Sequence, residues 1–332
     1  MKEEILAKLD PKTRARLLAA SEIHLEREPT PSIGLNIALN GGLVYGRQVM
    51  WWGNKSAGKS SIIQQMIANA QKRGKTAAWM DAENSYDPEW GARLGVNNDE
   101  LILSRTKGVA KLADECVDLV SGGIDILVID SISQVLPTAY FNDDELKDFE
   151  KTGQIGSLSK DLGKLSNMIA GVNENTLVMM ISQQRNVITP TYTSLSHMGG
   201  HAMKHNSSTI IKLWSSESDS KALTDKVQIG DKTIQDKVGR EVSWEVEFNK
   251  TGPMMRTGAY DFYFLGDHVG VDEYGELVGL AEARGLIKKS GAWYTVGDKT
   301  LQGKPKVVEA LREDDDLFKE IKEKVLAGEQ ST

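Results

Sequence analysis

Residues 51–61 read "WWGNKSAGKSS", and the fold turns on them. From Gly53 to Ser60 the pattern is a glycine, four residues, then Gly-Lys-Ser. An apolar run precedes it and a helical pattern follows, the strand–loop–helix setting in which this spacing cradles a phosphate. The glycines permit backbone torsions that aim successive N–H groups inward. Gly53, Asn54, Lys55, Ser56, Ala57, Gly58, Lys59, Ser60 and Ser61 are therefore the expected nucleotide-binding loop. Lys59 supplies a point charge for the β and γ phosphates, and Ser60 a hydroxyl for Mg²⁺. The following helix turns its positive N-terminal end toward the same anion.

Outward from the loop, strand and helix patterns alternate from residue 33 to about 215. Strands are expected at 48–52, 76–80, 101–103, 124–129 and 177–181, with helices near 59–73, 88–94, 108–121 and 156–170. Such alternation implies an α/β fold with a mostly parallel sheet, whose sites gather at the carboxyl ends of the strands. Further strands at 209–214, 241–248 and 259–265 suit an antiparallel flank. The sequence divides into an N-terminal helix and lone strand (1–32), a P-loop NTPase core (33–265) and a small C-terminal α/β domain (266–332). The arm reads as an amphipathic helix over 2–20, interrupted at Pro11, then the alternating strand "SEIHLERE" and a "PTPS" linker at 29–32. A charged helix is expected at 309–326. A lone strand must join a sheet, its own or a neighbour's.

Composition narrows the class. Of 332 residues, 40% are hydrophobic and 26% charged, as in an ordinary globular chain. No apolar run approaches the ~20 residues of a membrane span. The first twenty residues alternate charge with Leu and Ala and lack the apolar centre of a secretory signal. A single cysteine, Cys116, reads as a buried thiol and fits a cytoplasmic protein. A net charge of −7 argues against a simple basic coat for nucleic acid, although local field governs binding more than total charge. Five histidines and one cysteine without paired spacing give no structural zinc site.

Two other strand ends carry acids. "DILVID" ends at Asp130, placed to hold Mg²⁺. "TAAWMDAE" ends with Asp81 and Glu83, and Glu83 is the expected base for an attacking water. The strand "LVMMISQQR" ends in polar residues, and a glutamine there could touch a γ phosphate. The loop after it, "NVITPTYTSLSHMGGH", is long and shows no secondary-structure pattern, as functional loops often are. Tyr192 could stack on a base, and Gly199–Gly200 could let a nucleic-acid backbone approach. These features describe a nucleotide hydrolase with ATP and Mg²⁺ as its expected ligands.

The motifs resemble those of the RecA-type recombinases over roughly residues 32–325, in the family's order. The segments are "SIGLNIALNGGLVYGR", "GNKSAGKS", "GKTAAWMDAENSYDPEWGARLGV", "DILVIDS", "NTLVMMISQQR", "MGGHAMK", "NKTGP", "KKSGAWYTVGDKTLQGK" and "KEIKEKV". The last two are the most specific, because a general P-loop protein has no use for them. The sequence looks like a divergent member, with a phage source and a bacterial host cytoplasm as the expectation.

The resemblance implies a RecA-like core and roles residue by residue. Glu83 matches the acid that activates water, and Asp130 the second phosphate-site carboxylate. Gln183 matches the residue coupling nucleotide state to DNA. Asp87 and Trp90 fall where the family holds adenine, with Trp90 in place of the usual tyrosine. The family's DNA loops correspond to about 142–156 and 185–201, adding Lys160, Lys164 and Arg185 as DNA contacts. Lys250, in "NKTGP", matches a lysine that reaches a neighbouring subunit's γ phosphate. The family's second lysine is Phe248 here, and Lys55 replaces a common acid. Lys288, Lys289, Lys299, Lys304 and Lys306 would gather double-stranded DNA.

The resemblance therefore implies a helical filament on single-stranded DNA that performs ATP-dependent homologous pairing and strand exchange in recombination and repair. Single-strand-binding and loader proteins are expected partners, and no membrane is. Two rival readings share the core: a ring-forming helicase or motor, and a non-catalytic ATP-dependent scaffold, which Phe248 favours.

Overall fold

The computed structural model describes residues 2–14, 17, 21, 23–142, 145–146, 157–188, 193–197, 200–216, 221–229, 232–266 and 268–330. The main sheet begins with Gln48–Gly53 (β1), Ala77–Asp81 (β2), Leu101–Ser104 (β3), Ile126–Asp130 (β4) and Leu177–Ile188 (β5). It continues with Thr193–His197 (β6), Ser207–Trp214 (β7), Ala222–Ile229 (β8), Lys232–Asn249 (β9), Arg256–Tyr263 (β10) and Gly270–Val271 (β11). The strands lie in the order β11-β10-β9-β7-β1-β5-β4-β2-β3, with β6 on β5 and β8 on β9. From β7 to β3 every neighbouring pair is parallel. β9, β10 and β11 add the expected antiparallel flank.

β1, β2 and β4 are buried at every residue, because helices cover both faces. The period-2 alternation of a strand sorts their side chains into two layers. Val49, Trp51 and Trp79 face Ile62, Ile63 and Met66 of helix Lys59–Gln71. Met50, Trp52 and Met80 face helices Val109–Ser121 and Ser157–Val172 through Leu112, Leu162 and Leu165. Cys116 lies fully buried in the second layer, where desolvation pushes its thiol up and leaves it unreactive.

Helices run in chain order as Ile33–Ala38 (α1), Lys59–Gln71 (α2), Pro88–Arg93 (α3), Val109–Ser121 (α4) and Ser157–Val172 (α5). Gly200–Asn206 (α6), Glu273–Ala283 (α7), Lys304–Glu313 (α8) and Asp315–Gln330 (α9) follow. The C-terminal unit sets α7, α8 and α9 against a small antiparallel sheet of Lys288–Ser290, Trp293–Val296 and Lys299–Gln302.

The N-terminal helix is interrupted before Pro11 as expected, its described pieces being Lys2–Ala7 and Pro11–Arg14, with Asp10 accepting from the backbone of Lys12 and Thr13 at 3.0 Å. Several expectations change. Among the described residues of "SEIHLERE", Arg27–Glu28 forms the strand, pairing with Leu43–Val44 of its own chain. Ile23 and Leu25 are exposed and pair with no strand among the described residues. The "PTPS" segment is not a free linker. Thr30 and Ser32 are buried, the Thr30 hydroxyl donates to Asn36, and the Ser32 hydroxyl accepts from the Leu35 amide to cap α1.

The segment after β5 is not patternless, since β5 runs on to Ile188 and pairs with β6. β9 begins nine residues earlier than expected and forms a long hairpin with β8, which the sequence reading missed. The expected single helix 309–326 is α8 and α9, split at Asp314, whose carboxylate accepts from the Leu317 amide at 3.0 Å. Just past residue 266, β11 pairs with Phe262 and Tyr263 of the main sheet.

Candidate functional site

Gly53 ends β1 with φ +151°, and a Cβ there would lie 1.7 Å from the Leu213 carbonyl oxygen of β7. Only glycine lets the chain leave the sheet at this point. Gly58 precedes α2 in the left-handed region, φ +80°. The Asn54 side-chain amide is paired with the backbone of Ser215, donating to the carbonyl at 2.9 Å and accepting from the N–H at 3.3 Å. It pins the loop to the end of β7.

Lys59 is buried at the start of α2, donating to the carbonyls of Asn54 (2.8 Å) and Gly53 (3.3 Å). Burial draws its ammonium down, while Asp130 and Glu83 oppose the shift. The Ser60 hydroxyl donates to Asp130 Oδ2 at 2.7 Å. Burial pushes the Asp130 carboxyl up to about 6, against the Ser60 hydrogen bond, and Glu83 and Asp81 add to the rise. A carboxylate held this way is poised to be ionised by a cation.

Asp81, fully buried, shapes the turn after β2 by accepting from the amides of Ser85 (2.9 Å) and Tyr86 (3.1 Å). That turn presents Glu83, whose N–H donates to the Asp130 carbonyl at 3.2 Å. The Gln183 side chain donates to Glu83 Oε1 at 2.8 Å. Glu83, Lys59, Ser60, Asp130 and Gln183 thus come together where the parallel strands end. Arg185 follows on the same strand, exposed, opposite Ser196 of β6.

On the other side of the loop lies a cavity of about 360 Å³, lined by Ser56–Ser61, Trp90, Arg240, Val242, Phe262 and Phe264. The Trp90 indole N–H donates to Ser61 Oγ at 3.2 Å, and its ring lies 6.5 Å from that of Phe262. Asp87 caps α3, its Oδ1 accepting from Glu89 and Trp90. Arg240, Phe262 and Phe264 escaped the sequence reading, since they come from distant strands without a motif. A larger cavity of about 740 Å³, lined in part by Tyr260, Glu276 and Lys304, contains none of the loop residues.

The remaining candidates lie apart. Lys160 and Lys164 are exposed on α5, and Lys164 pairs with Asp161 at 3.8 Å. Gly200 opens α6. Tyr192 and Gly199 lie outside the described residues, as does most of the acidic stretch 143–150. Lys250 is exposed beyond the end of β9, its ammonium on the His205 carbonyl at 2.7 Å. Asn249 aligns through Thr209 with Val49, at the start of β1. Lys250 and Lys59 therefore sit at opposite ends of the strands, roughly 16 Å apart along β1 alone. The lysine cannot reach its own chain's loop.

Comparison with known proteins follows this geometry. A family model described as the RecA N-terminal domain matches residues 7–265, and one described as the RecA C-terminal domain matches residues 275–328. The Thermus thermophilus protein RecA is 35% identical over 308 residues, covering 91% of this chain and 85% of that protein. The Saccharopolyspora erythraea protein RecA is 34% identical over 306 residues, covering 91% and 83%. The Thermus aquaticus protein RecA is 34% identical over 316 residues, covering 94% and 88%.

Proposed function

The chain belongs to the RecA family, and from that premise we propose that ATP with Mg²⁺, bound at the Lys59 loop, links neighbouring copies along single-stranded DNA. The protein is a RecA-type recombinase, a DNA-dependent ATPase of recombination and repair that pairs a single strand with a homologous duplex. Neither the ring motor nor the non-catalytic scaffold is favoured, because the match runs through the C-terminal domain as well as the core.

The residues fit a magnesium nucleotide. Ser60 and Asp130 present adjacent hard oxygens, and Mg²⁺ bound with phosphates needs only one or two carboxylates from the protein. Ser60 and Asp130 would hold the ion, which would supply positive charge to offset that of the phosphates. Lys59 would leave its two carbonyls for the β and γ phosphates. Glu83 would orient a water and take its proton, with the Gln183 amide holding the carboxylate in place. Trp90 would cover adenine, and Asp87 would keep α3 in position beneath it. Lys250 of a neighbouring copy would complete the γ-phosphate site, a role consistent with its distance from its own chain's loop. Arg185, Lys160, Lys164, Tyr192 and the Gly199–Gly200 pair are the proposed DNA contacts.

The free edge of the sheet supplies the arm's destination. Among the described residues β3 has a strand neighbour on one side, and it exposes Ile102 and Leu103. Ile23 and Leu25 of the arm are exposed and pair with no strand among the described residues. Adding that segment to the β3 edge of another copy would satisfy both. On the C-terminal unit Trp293 is exposed on the face of the small sheet that Lys288 shares, while Tyr294 is buried, so Trp293 is the aromatic proposed to meet duplex DNA. Single-strand-binding and loader proteins would assist, and this reading puts the protein in the cytoplasm.

The observation that carries the reading is the Gln183–Glu83 hydrogen bond, because β5 continues from that contact into the β5–β6 hairpin. Gln183→Ala should keep nucleotide binding but lose stimulation of hydrolysis by single-stranded DNA, ten-fold or more in rate. Full stimulation in the variant would refute the coupling.

A further inference from the structure

Arg240 stands on the root of the β8–β9 hairpin, paired with Ala222. β9 runs antiparallel to β7, and Ser243 already aligns with Trp214, one residue past the level of Gly53. Arg240, three residues further, overhangs the phosphate loop. Its guanidinium donates to the Ser56 carbonyl at 3.3 Å and to Ser215 Oγ at 3.4 Å, and lies 5.9 Å from the Phe264 ring centroid. Both hydrogen bonds are long, and both acceptors are neutral. Among the described residues no carboxylate forms an ion pair with it. A guanidinium stays charged at any working pH and prefers a bidentate anionic partner. It is held here beside a loop shaped for phosphate, on the wall of the cavity that Trp90 and Phe264 also line.

Resting on the nucleotide site proposed above, we infer that Arg240 is a nucleotide-binding residue supplied by the same chain, its guanidinium engaging the α- and β-phosphate oxygens. The sheet order selects these phosphates. Glu83, Asp130 and Gln183 come from β2, β4 and β5 on one side of β1, and define where the γ phosphate reacts. Arg240 enters across β7, from the opposite side, next to Ser61 and Trp90. On nucleotide entry it exchanges two neutral acceptors for charged ones, and the hairpin root moves with it.

The test uses the full chain and fluorescent N-methylanthraniloyl ADP and ATP in equilibrium titrations, with adenosine as competitor. Arg240→Met keeps the apolar stem over Phe264 and removes the charge. It should weaken ADP and ATP alike by about ten-fold or more, with adenosine unchanged, and Arg240→Lys should recover part of the loss. Unchanged affinity for both nucleotides overturns the inference, and so does a loss confined to ATP, which would place the guanidinium at the γ phosphate. A loss that Lys does not relieve, accompanied by altered circular dichroism, would also count against it, since packing rather than charge would be responsible. Lys59→Ala separates the two readings. If it too leaves binding intact, the nucleotide site itself is misassigned. If it abolishes binding while Arg240→Met does not, only the role of Arg240 falls.

Discussion

At the scale of single residues, the site is assembled from strand ends, and that decides what could be read. Glu83, Asp130 and Gln183 end or closely follow apolar runs, and Lys59 and Ser60 open a helix at a fixed spacing from Gly53, so the sequence shows both the framework and its chemistry. Arg240 gave no such signal. It meets Ser56 across 184 positions of chain, and nothing local marks an arginine on a strand as facing a loop so distant. Glu83 has the sharpest consequence. Glu83→Gln preserves shape and a hydrogen-bonding group toward Gln183 but cannot accept the water's proton. It should bind ATP normally and hydrolyse it some two to four orders of magnitude more slowly, as single-turnover kinetics would show. Near-normal hydrolysis would move the base elsewhere.

At the scale of elements, the α/β alternation was legible because buried parallel strands are continuous apolar runs, while segments stabilised from outside their own pattern were not. The β8–β9 hairpin carries charges on both strands, and its one signal was Gly230-Asp231 between alternating segments. The α8–α9 break was hidden because Val307, Leu311, Ile321 and Val325 all enter one core, so the apolar pattern continues across Asp314. The short α1 depends on α7. Glu276 accepts from the Ser32 hydroxyl (2.8 Å) and the amides of Ile33 (2.8 Å) and Gly34 (3.1 Å). Burial outweighs these bonds and pushes its carboxyl from 4.5 up to about 7. The folded chain then binds this proton more tightly than the unfolded chain. Its contribution to stability is complete below pH 4.5 and is lost as pH rises through 7. Wild type should therefore lose stability relative to Glu276→Gln across that window, by up to about 3 kcal/mol in denaturant titrations. A difference independent of pH would mean that the carboxyl keeps an ordinary affinity for its proton.

At the scale of the whole molecule, one chain leaves two things unfinished: an arm whose exposed apolar residues pair with no strand among the described residues, and a lysine far from the phosphate loop of its own chain. The proposed head-to-tail neighbour, whose interface repeats without closing, would resolve both. The arm can be removed cleanly, because Arg27 onward is tied to the core by bonds to the carbonyls of Leu39, Gly42 and Thr251. Deleting residues 1–25 should leave a folded monomer that binds nucleotide but no longer sediments as filaments with single-stranded DNA. Filaments of ordinary length in the truncated protein would rule out the arm as the connector. The central claim is that each phosphate site takes one wall from each of two copies, and mixing two inactive variants tests it most directly. Lys59→Ala lacks the loop cation but keeps Lys250, and Lys250→Ala has the reverse defect. Alone, each should show no DNA-stimulated hydrolysis. Combined in equal amounts, random neighbours should restore about a quarter of the wild-type rate, since that share of interfaces joins an intact loop to an intact lysine. A mixture as inactive as its parts, or Lys250→Ala fully active by itself, would contradict the account.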